Sequence, residues 1–283
     1  MHLLIVGCGY LGRRVARLAK EAGRRVSAVT RSETHAAEFR ANGWEPVLAD
    51  VLKPDSLDLP HADVVVHAVG LDRRSGASMR DVYVGGIANV LKRLPRPGRF
   101  IYVSSSSVYG QTDGEWVDES SPTEPQEESG RIVLETEHTL RKANPDAIVL
   151  RFSGIYGSGR LLRRQTIEAG EPIVGDVEKW LNLIHVEDGA AAVVRAFDAT
   201  LGSTFNICDD EPVRRRDFYR ELARCLGKPE PRFVAPPAEQ PTPPHEKGNR
   251  RIRNEAMRRG LGVELEYPNY RVGLAASSWK QVY

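Results

Sequence analysis

Two hydrophobic periods alternate along the first half of the chain. Leu3–Val6 is a short unbroken apolar run, the mark of a strand buried on both faces of a parallel sheet. Tyr10–Ala22 follows with apolar residues three and four apart, which predicts a helix. The pair then recurs. Arg25–Thr30 reads as a second strand, Glu33–Asn42 as a helix closed by Gly43, and Glu45–Leu48 as a third strand. Asp63–His67 reads as a fourth strand, Ser78–Leu94 as a helix stopped by Pro95, and Arg99–Val103 as a fifth strand. Gly130–Ala143 is a further helix and Ala147–Arg151 a sixth strand. Repeated units of this kind predict an α/β fold with a doubly wound parallel sheet of Rossmann type. Ligands of such sheets sit at the carboxyl ends of the strands.

The alternation breaks after Gly159. Leu161–Ala169 reads as a short amphipathic helix, and Glu171–Val174 and Trp180–Ile184 as extended segments around an acidic turn, Asp176–Glu178. Glu187–Ala199 is an apolar helix that returns to the sheet, with Thr204–Ile207 as another strand. Arg214–Leu226 is a helix ending at Gly227. Ala235–Gly248 carries five prolines and few apolar residues, so it reads as a loop. The expected division is a dinucleotide-binding domain of residues 1–155 plus about 185–207. A smaller C-terminal substrate domain takes residues 156–184 and 208–283.

Charge and cysteine usage narrow the setting. A formal net charge of +2 gives no global reason to expect nucleic acid or an anionic membrane as partner. Cys8, Cys208 and Cys225 share no C-x-x-C spacing, which argues against a disulfide frame or a zinc site and for a reducing, cytoplasmic setting. No apolar run reaches membrane-spanning length, no signal peptide precedes the first strand, and no metal-ligand constellation is present. The expected partner is a small-molecule substrate, and a homodimer is compatible with the pattern.

The chemistry starts at the first strand end. Gly7, Gly9 and Gly12 form G-x-G-x-x-G, with Cys8, Tyr10 and Leu11 between them. The first glycine permits the turn, the second lets a pyrophosphate approach the backbone, and the third lets helix and strand pack closely. The phosphates would then meet the free N–H groups of a helix N-terminus. At the second strand end, Thr30-Arg31-Ser32 offers a guanidinium between two hydroxyls where NAD-selective sites carry a carboxylate. NADP is therefore preferred over NAD, with a solvated surface arginine as the alternative. Asp50-Val51 closes the third unit, either as a contact to the adenine or as an ordinary turn.

Further segments, in order, resemble the extended short-chain dehydrogenase/reductase superfamily, the NAD(P)-dependent epimerase/dehydratase group. His67-Ala68-Val69-Gly70 is similar to that family's loop under the cofactor, with a structural role as the alternative for His67, and Tyr83–Leu91 to its N-V-x-G-T-x-N-V-L helix, with Tyr83 in place of the first Asn. Tyr102–Gly110 matches its serine-rich strand end, Leu150–Gly159 its L-R-x-x-x-V-Y-G-P-G turn, and Leu183–Gly189 its F-I-H-V-D-D segment. The tail from Asn249 to Leu274 resembles the YeeZ-like branch. The resemblance implies an oxidoreductase or epimerase acting on a small or sugar-nucleotide-like substrate.

Active members of that family carry a Y-x-x-x-K pair, a phenol acid/base beside a lysine that lowers its pKa. Gly130, Leu134 and Glu137 align with the frame around it, so the two slots hold Ser129 and Val133. None of the eight lysines has a tyrosine four residues before it. The remaining candidates for chemistry are Ser105, in the substrate-hydroxyl position, and Tyr109, either as a substitute acid or in the structural role that the resemblance implies. Ser104 is assigned to the cofactor and Ser106 to the substrate. Arg131 is the cation nearest the missing pair, either as a phosphate or ribose contact or as a surface arginine. Arg251, in the tail that the resemblance places at the substrate cleft, either meets an anionic substrate or belongs to a solvated basic turn. Tyr83 is read as packing, with a place facing the cleft as the alternative. A non-catalytic NADP(H)-binding sensor or regulatory protein is the alternative to an enzyme.

Overall fold

The computed structural model describes residues 1–95, 98–235 and 248–276. The proline-rich loop expected within 235–248 lies, but for its ends, outside the described residues. Seven strands form one sheet: β1 (His2–Val6), β2 (Arg25–Thr30), β3 (Glu45–Leu48), β4 (Val64–His67), β5 (Arg99–Ser105), β6 (Ile148–Phe152) and β7 (Thr204–Ile207). Their order is β7-β6-β5-β4-β1-β2-β3, and every neighbouring pair is parallel. The order reverses beside β1, so the crevice of this Rossmann-type sheet opens at the end of its first strand.

Alternation along each strand divides the core between the two faces. Leu3 and Ile5 of β1 join Val26, Val64, Val66 and Ile101 on one face, and Leu4 and Val6 join Val29, Val65, Phe100 and Val149 on the other. The first face is covered by α1 (Tyr10–Glu21), whose buried Leu11, Val15 and Ala19 recur at four-residue spacing. The second is covered by residues of two later helices, Ile87 and Val90 of α3 (Gly86–Arg93) and Leu140 of α4 (Glu128–Ala143). On the α1 face, α2 (Glu33–Ala41) adds Phe39, and α5 (Val186–Arg195) packs beside α1 through Ala190, Ala192 and Val193.

The helix expected over 78–94 contains a π-helical turn, Asp81–Gly85, before α3 begins. The helix expected over 187–199 ends at Arg195 and tightens into a 3-10 turn, Ala196–Asp198. Outside the large sheet the chain makes two-stranded pairs that are too short for a hydrophobic period to mark. Gly154–Tyr156 lies parallel to Leu183–His185, Trp180–Leu181 antiparallel to Val213–Arg214, and Glu115–Val117 parallel to Arg250–Ile252. Tyr156, Ile173, Phe218, Leu222, Tyr270 and Leu274 share a separate apolar cluster. It joins α6 (Arg215–Cys225) to the last described helix, Tyr270–Ala275. No described helix is long and apolar enough to cross a membrane.

Candidate active site

A cavity of about 1220 Å³ runs along the carboxyl ends of the strands, and it begins at the turn after β1. Gly7 has φ +97°, and a Cβ there would stand 2.5 Å from the backbone of Ala68, in the loop leaving β4. A Cβ on Gly12 would stand 2.6 Å from the Gly7 carbonyl oxygen. Both positions need glycine for the turn itself. Gly9 differs: a Cβ there meets nothing within 4 Å. Gly9 is also the N-cap of α1, no side chain caps that helix, and its first turn holds no carboxylate. Uncapped amides therefore face open space, the geometry that a diphosphate requires. Cys8 lines the same turn, and burial pushes its thiol up to about 12, so it stays protonated at neutral pH.

Thr30, Arg31 and Ser32 form one end of the cavity with Asp50, Val51 and Asp72. The hydroxyls there are partly committed. Thr30 Oγ1 accepts from the Ser32 amide at 3.1 Å, and Ser32 Oγ accepts from the His35 amide at 3.4 Å, which caps α2. The half-exposed Arg31 guanidinium makes one long contact, 3.4 Å, to Asp72. Asp50 accepts from the Leu52 amide at 3.0 Å.

At the other end stand Tyr83, Tyr102, Ser104, Ser105, Ser107 and Val133, with Ser153 to Ile155 leaving the neighbouring strand beside them. Ser105 Oγ accepts from the Ser107 amide at 3.2 Å. Ser104 turns inward and donates to Glu137 Oε1 at 2.5 Å. Arg151 grips the same carboxylate through two donors, at 3.1 and 2.8 Å, and donates to the Tyr109 hydroxyl at 3.1 Å. Tyr109 in turn donates to Asn206 at 2.8 Å. Burial works to lower the Arg151 pKa, but the hydrogen-bonded Glu137 carboxylate carries it above the ordinary arginine value. A buried carboxylate held this way is a rigid post behind the serine-rich strand end.

The family model for the NAD dependent epimerase/dehydratase family matches residues 3–208. The chain belongs to that family. It is 31% identical over 284 residues to the protein YeeZ of Escherichia coli (strain K12), across 94% of this chain and 96% of YeeZ. It is 25% identical over 306 residues to a 3-diazoavenalumate denitrifying reductase of a Streptomyces species, across 97% and 99% of the two chains. Among solved structures, the UDP-glucuronic acid 4-epimerase of Bacillus cereus, in complex with UDP-glucuronic acid and NAD, superposes with a TM-score of 0.80. It does so at 19% identity over 100% of both chains, a likeness of fold.

A nicotinamide dinucleotide, the coenzyme class of this family, fits the residues present. Gly9 leaves room over the α1 amides, and the cavity is continuous from Arg31 to Ser105. Gly7, Cys8, Gly9, Tyr10, Leu11, Gly12, Thr30, Arg31, Ser32, Asp50, Val51, Ala68, Val69, Ser104 and Ser105 all line it. Five expected site residues do not. Tyr109 is buried, and its hydroxyl is committed to Arg151 and Asn206, so it is not placed to act as a substitute acid. Arg131 is exposed and donates to the Pro125 and Gln126 carbonyls. Ser106 sits in the 3-10 turn Ser106–Val108, where its carbonyl accepts from Arg250 at 2.7 Å. Arg251 stacks on Trp116 and Trp180, at 4.9 and 5.2 Å, and donates to the Gly114 carbonyl.

The fifth, His67, is buried under Phe100 and Tyr102, and neither ring nitrogen has a hydrogen-bond partner. Burial draws its pKa down to about 4. Folding therefore holds it neutral, whereas the unfolded chain protonates it near pH 6.5. The associated stability is complete above about pH 6.5 and is lost as pH falls towards 4, by on the order of 3 kcal/mol. Urea unfolding at pH 7 and pH 4.5 checks this: wild type should lose more stability between the two than His67→Leu does.

Two residues gain a place that the sequence left open. Tyr83, read as packing, lines the cavity from the π-helical turn, a distortion that recurs at functional sites. Val133 lines the cavity from α4, at the position that the family resemblance gives to the lysine.

Proposed function

We propose that this protein is an NADP(H)-preferring oxidoreductase or epimerase of the atypical short-chain type, acting on a small or sugar-nucleotide-like substrate. One observation carries the reading: open helix amides at Gly9 and the Ser105 hydroxyl border a single cavity. Gly7 to Gly12 hold the diphosphate, with Ala68 and Val69 beneath it. Thr30, Arg31 and Ser32 take the adenosine ribose and its 2′-phosphate, and Asp50 and Val51 the adenine. When bound, the nicotinamide supplies hydride transfer. Ser105 positions the substrate oxygen by a hydrogen bond, and Ser104, fixed by Glu137, shapes the wall beside the coenzyme. Residues 156–184 and 208–283 supply the substrate side.

A second reading, a non-catalytic NADP(H)-binding protein, draws support from Val133. An apolar side chain there can neither hold a ribose nor acidify a phenol. NADPH fluorescence separates the two. Both readings require binding, and only the enzyme requires NADPH consumption with some member of a carbonyl panel. The coenzyme preference has its own test. Arg31→Ala should weaken NADPH by about tenfold and leave NADH within about twofold, because only NADPH offers the guanidinium a phosphate. Equal losses for the two coenzymes would remove the 2′-phosphate assignment.

A further inference from the structure

We propose that Arg160 closes the diphosphate cradle from the wall opposite the glycine turn. This rests on the coenzyme reading above and adds a residue to it. Four arginines line the cavity: Arg13, Arg14, Arg31 and Arg160. Three are engaged with carboxylates, Arg13 with Glu38, Arg14 with Glu187 at 2.7 Å, and Arg31 with Asp72 at 3.4 Å. Among the described residues, Arg160 has no carboxylate partner.

Its guanidinium instead lies over the Tyr10 ring, 5.5 Å from the centroid, while Arg14 lies 4.3 Å from the same ring. Tyr10 directly follows Gly9 and is the first residue of α1. The stacking therefore brings a cation without a counter-ion to the edge of the uncapped amides. The backbone holds it there. Gly157 and Arg160 exchange hydrogen bonds of 3.2 and 3.0 Å across a tight turn in which Gly157 and Gly159 have φ +146° and +75°. The Tyr10 hydroxyl donates to the Ser158 carbonyl at 2.9 Å and pins that turn to the glycine loop. A guanidinium pre-set by stacking loses little freedom when it takes two phosphate oxygens in its fork. Amides on one side and this fork on the other enclose an anionic bridge. Neither would grip an uncharged nucleoside.

Calorimetric titration of the full chain with NADPH, ADP and adenosine tests the clamp. Arg160→Ala should weaken NADPH and ADP by about tenfold and leave adenosine and the melting temperature unchanged. Arg160→Lys should recover only part of the loss, since an ammonium is a point charge without the fork. Tyr10→Phe keeps the ring but releases the Ser158 carbonyl, and should give an intermediate loss. Wild-type NADPH affinity in Arg160→Ala, or equal losses for ADP and adenosine, would overturn the clamp and leave the coenzyme reading standing. Absence of NADPH binding by the wild type would overturn both.

Discussion

Gly9→Ala should fold as the wild type does and bind NADPH about a hundredfold more weakly, a loss of about 2.7 kcal/mol. The two halves of that expectation come from one fact. A Cβ at residue 9 touches nothing in the protein, so no packing is disturbed. The space it enters is the space over the α1 amides, where the diphosphate must approach to hydrogen-bond distance. A methyl group there holds the phosphates off several donors at once. Gly7→Ala is the contrasting variant. Its Cβ would overlap the Ala68 backbone at 2.5 Å, and its φ of +97° disfavours any side chain, so it should lower the melting temperature as well. Thermal denaturation beside an NADPH fluorescence titration separates the two outcomes. A Gly9→Ala protein with undiminished affinity would mean that the amides do not hold the coenzyme.

Arg151→Ala should cost about 3–5 kcal/mol of unfolding free energy in urea. Both Arg151 and Glu137 are buried, and the guanidinium supplies two of the donors to that carboxylate. Without it, Glu137 keeps the hydrogen bond from Ser104 and a longer-range interaction with Arg141. An unpaired buried charge is costly, whereas an apolar pair of similar volume is far less so. The double variant Glu137→Leu, Arg151→Met should therefore be more stable than Arg151→Ala alone. If Arg151→Ala were as stable as the wild type, the carboxylate would have to be solvated, and the post behind Ser104 would not be rigid.

The sheet was legible because its strands are continuous apolar runs with helical periods between them. Three of its strands, Arg25–Thr30, Glu45–Leu48 and Thr204–Ile207, match throughout, and the other four match to within two residues at either end. Glu115–Val117 was not legible, because three residues give no period and its pairing partner lies more than a hundred positions away. The glycine turn could be read from spacing, since each glycine answers a local demand of turn, approach or packing. For Tyr109 and Arg131 the sequence left a site role and a structural or surface role open, for the opposite reason. Closeness in sequence to Ser105 or Val133 does not say which way a side chain points, and long-range partners such as Asn206 decided it for Tyr109. Arg160 carried no signal in an arginine-rich chain until the fold brought it over Tyr10.

One rim of the sheet has a further consequence. β3 is an outer strand of four residues, and its second residue is Pro46. A proline cannot offer an N–H to an incoming chain, so the rim is a poor template for strand addition. The exposed Leu48 on that strand is the apolar side chain an added strand would cover, and the ring two residues before it withholds a donor from such a partner.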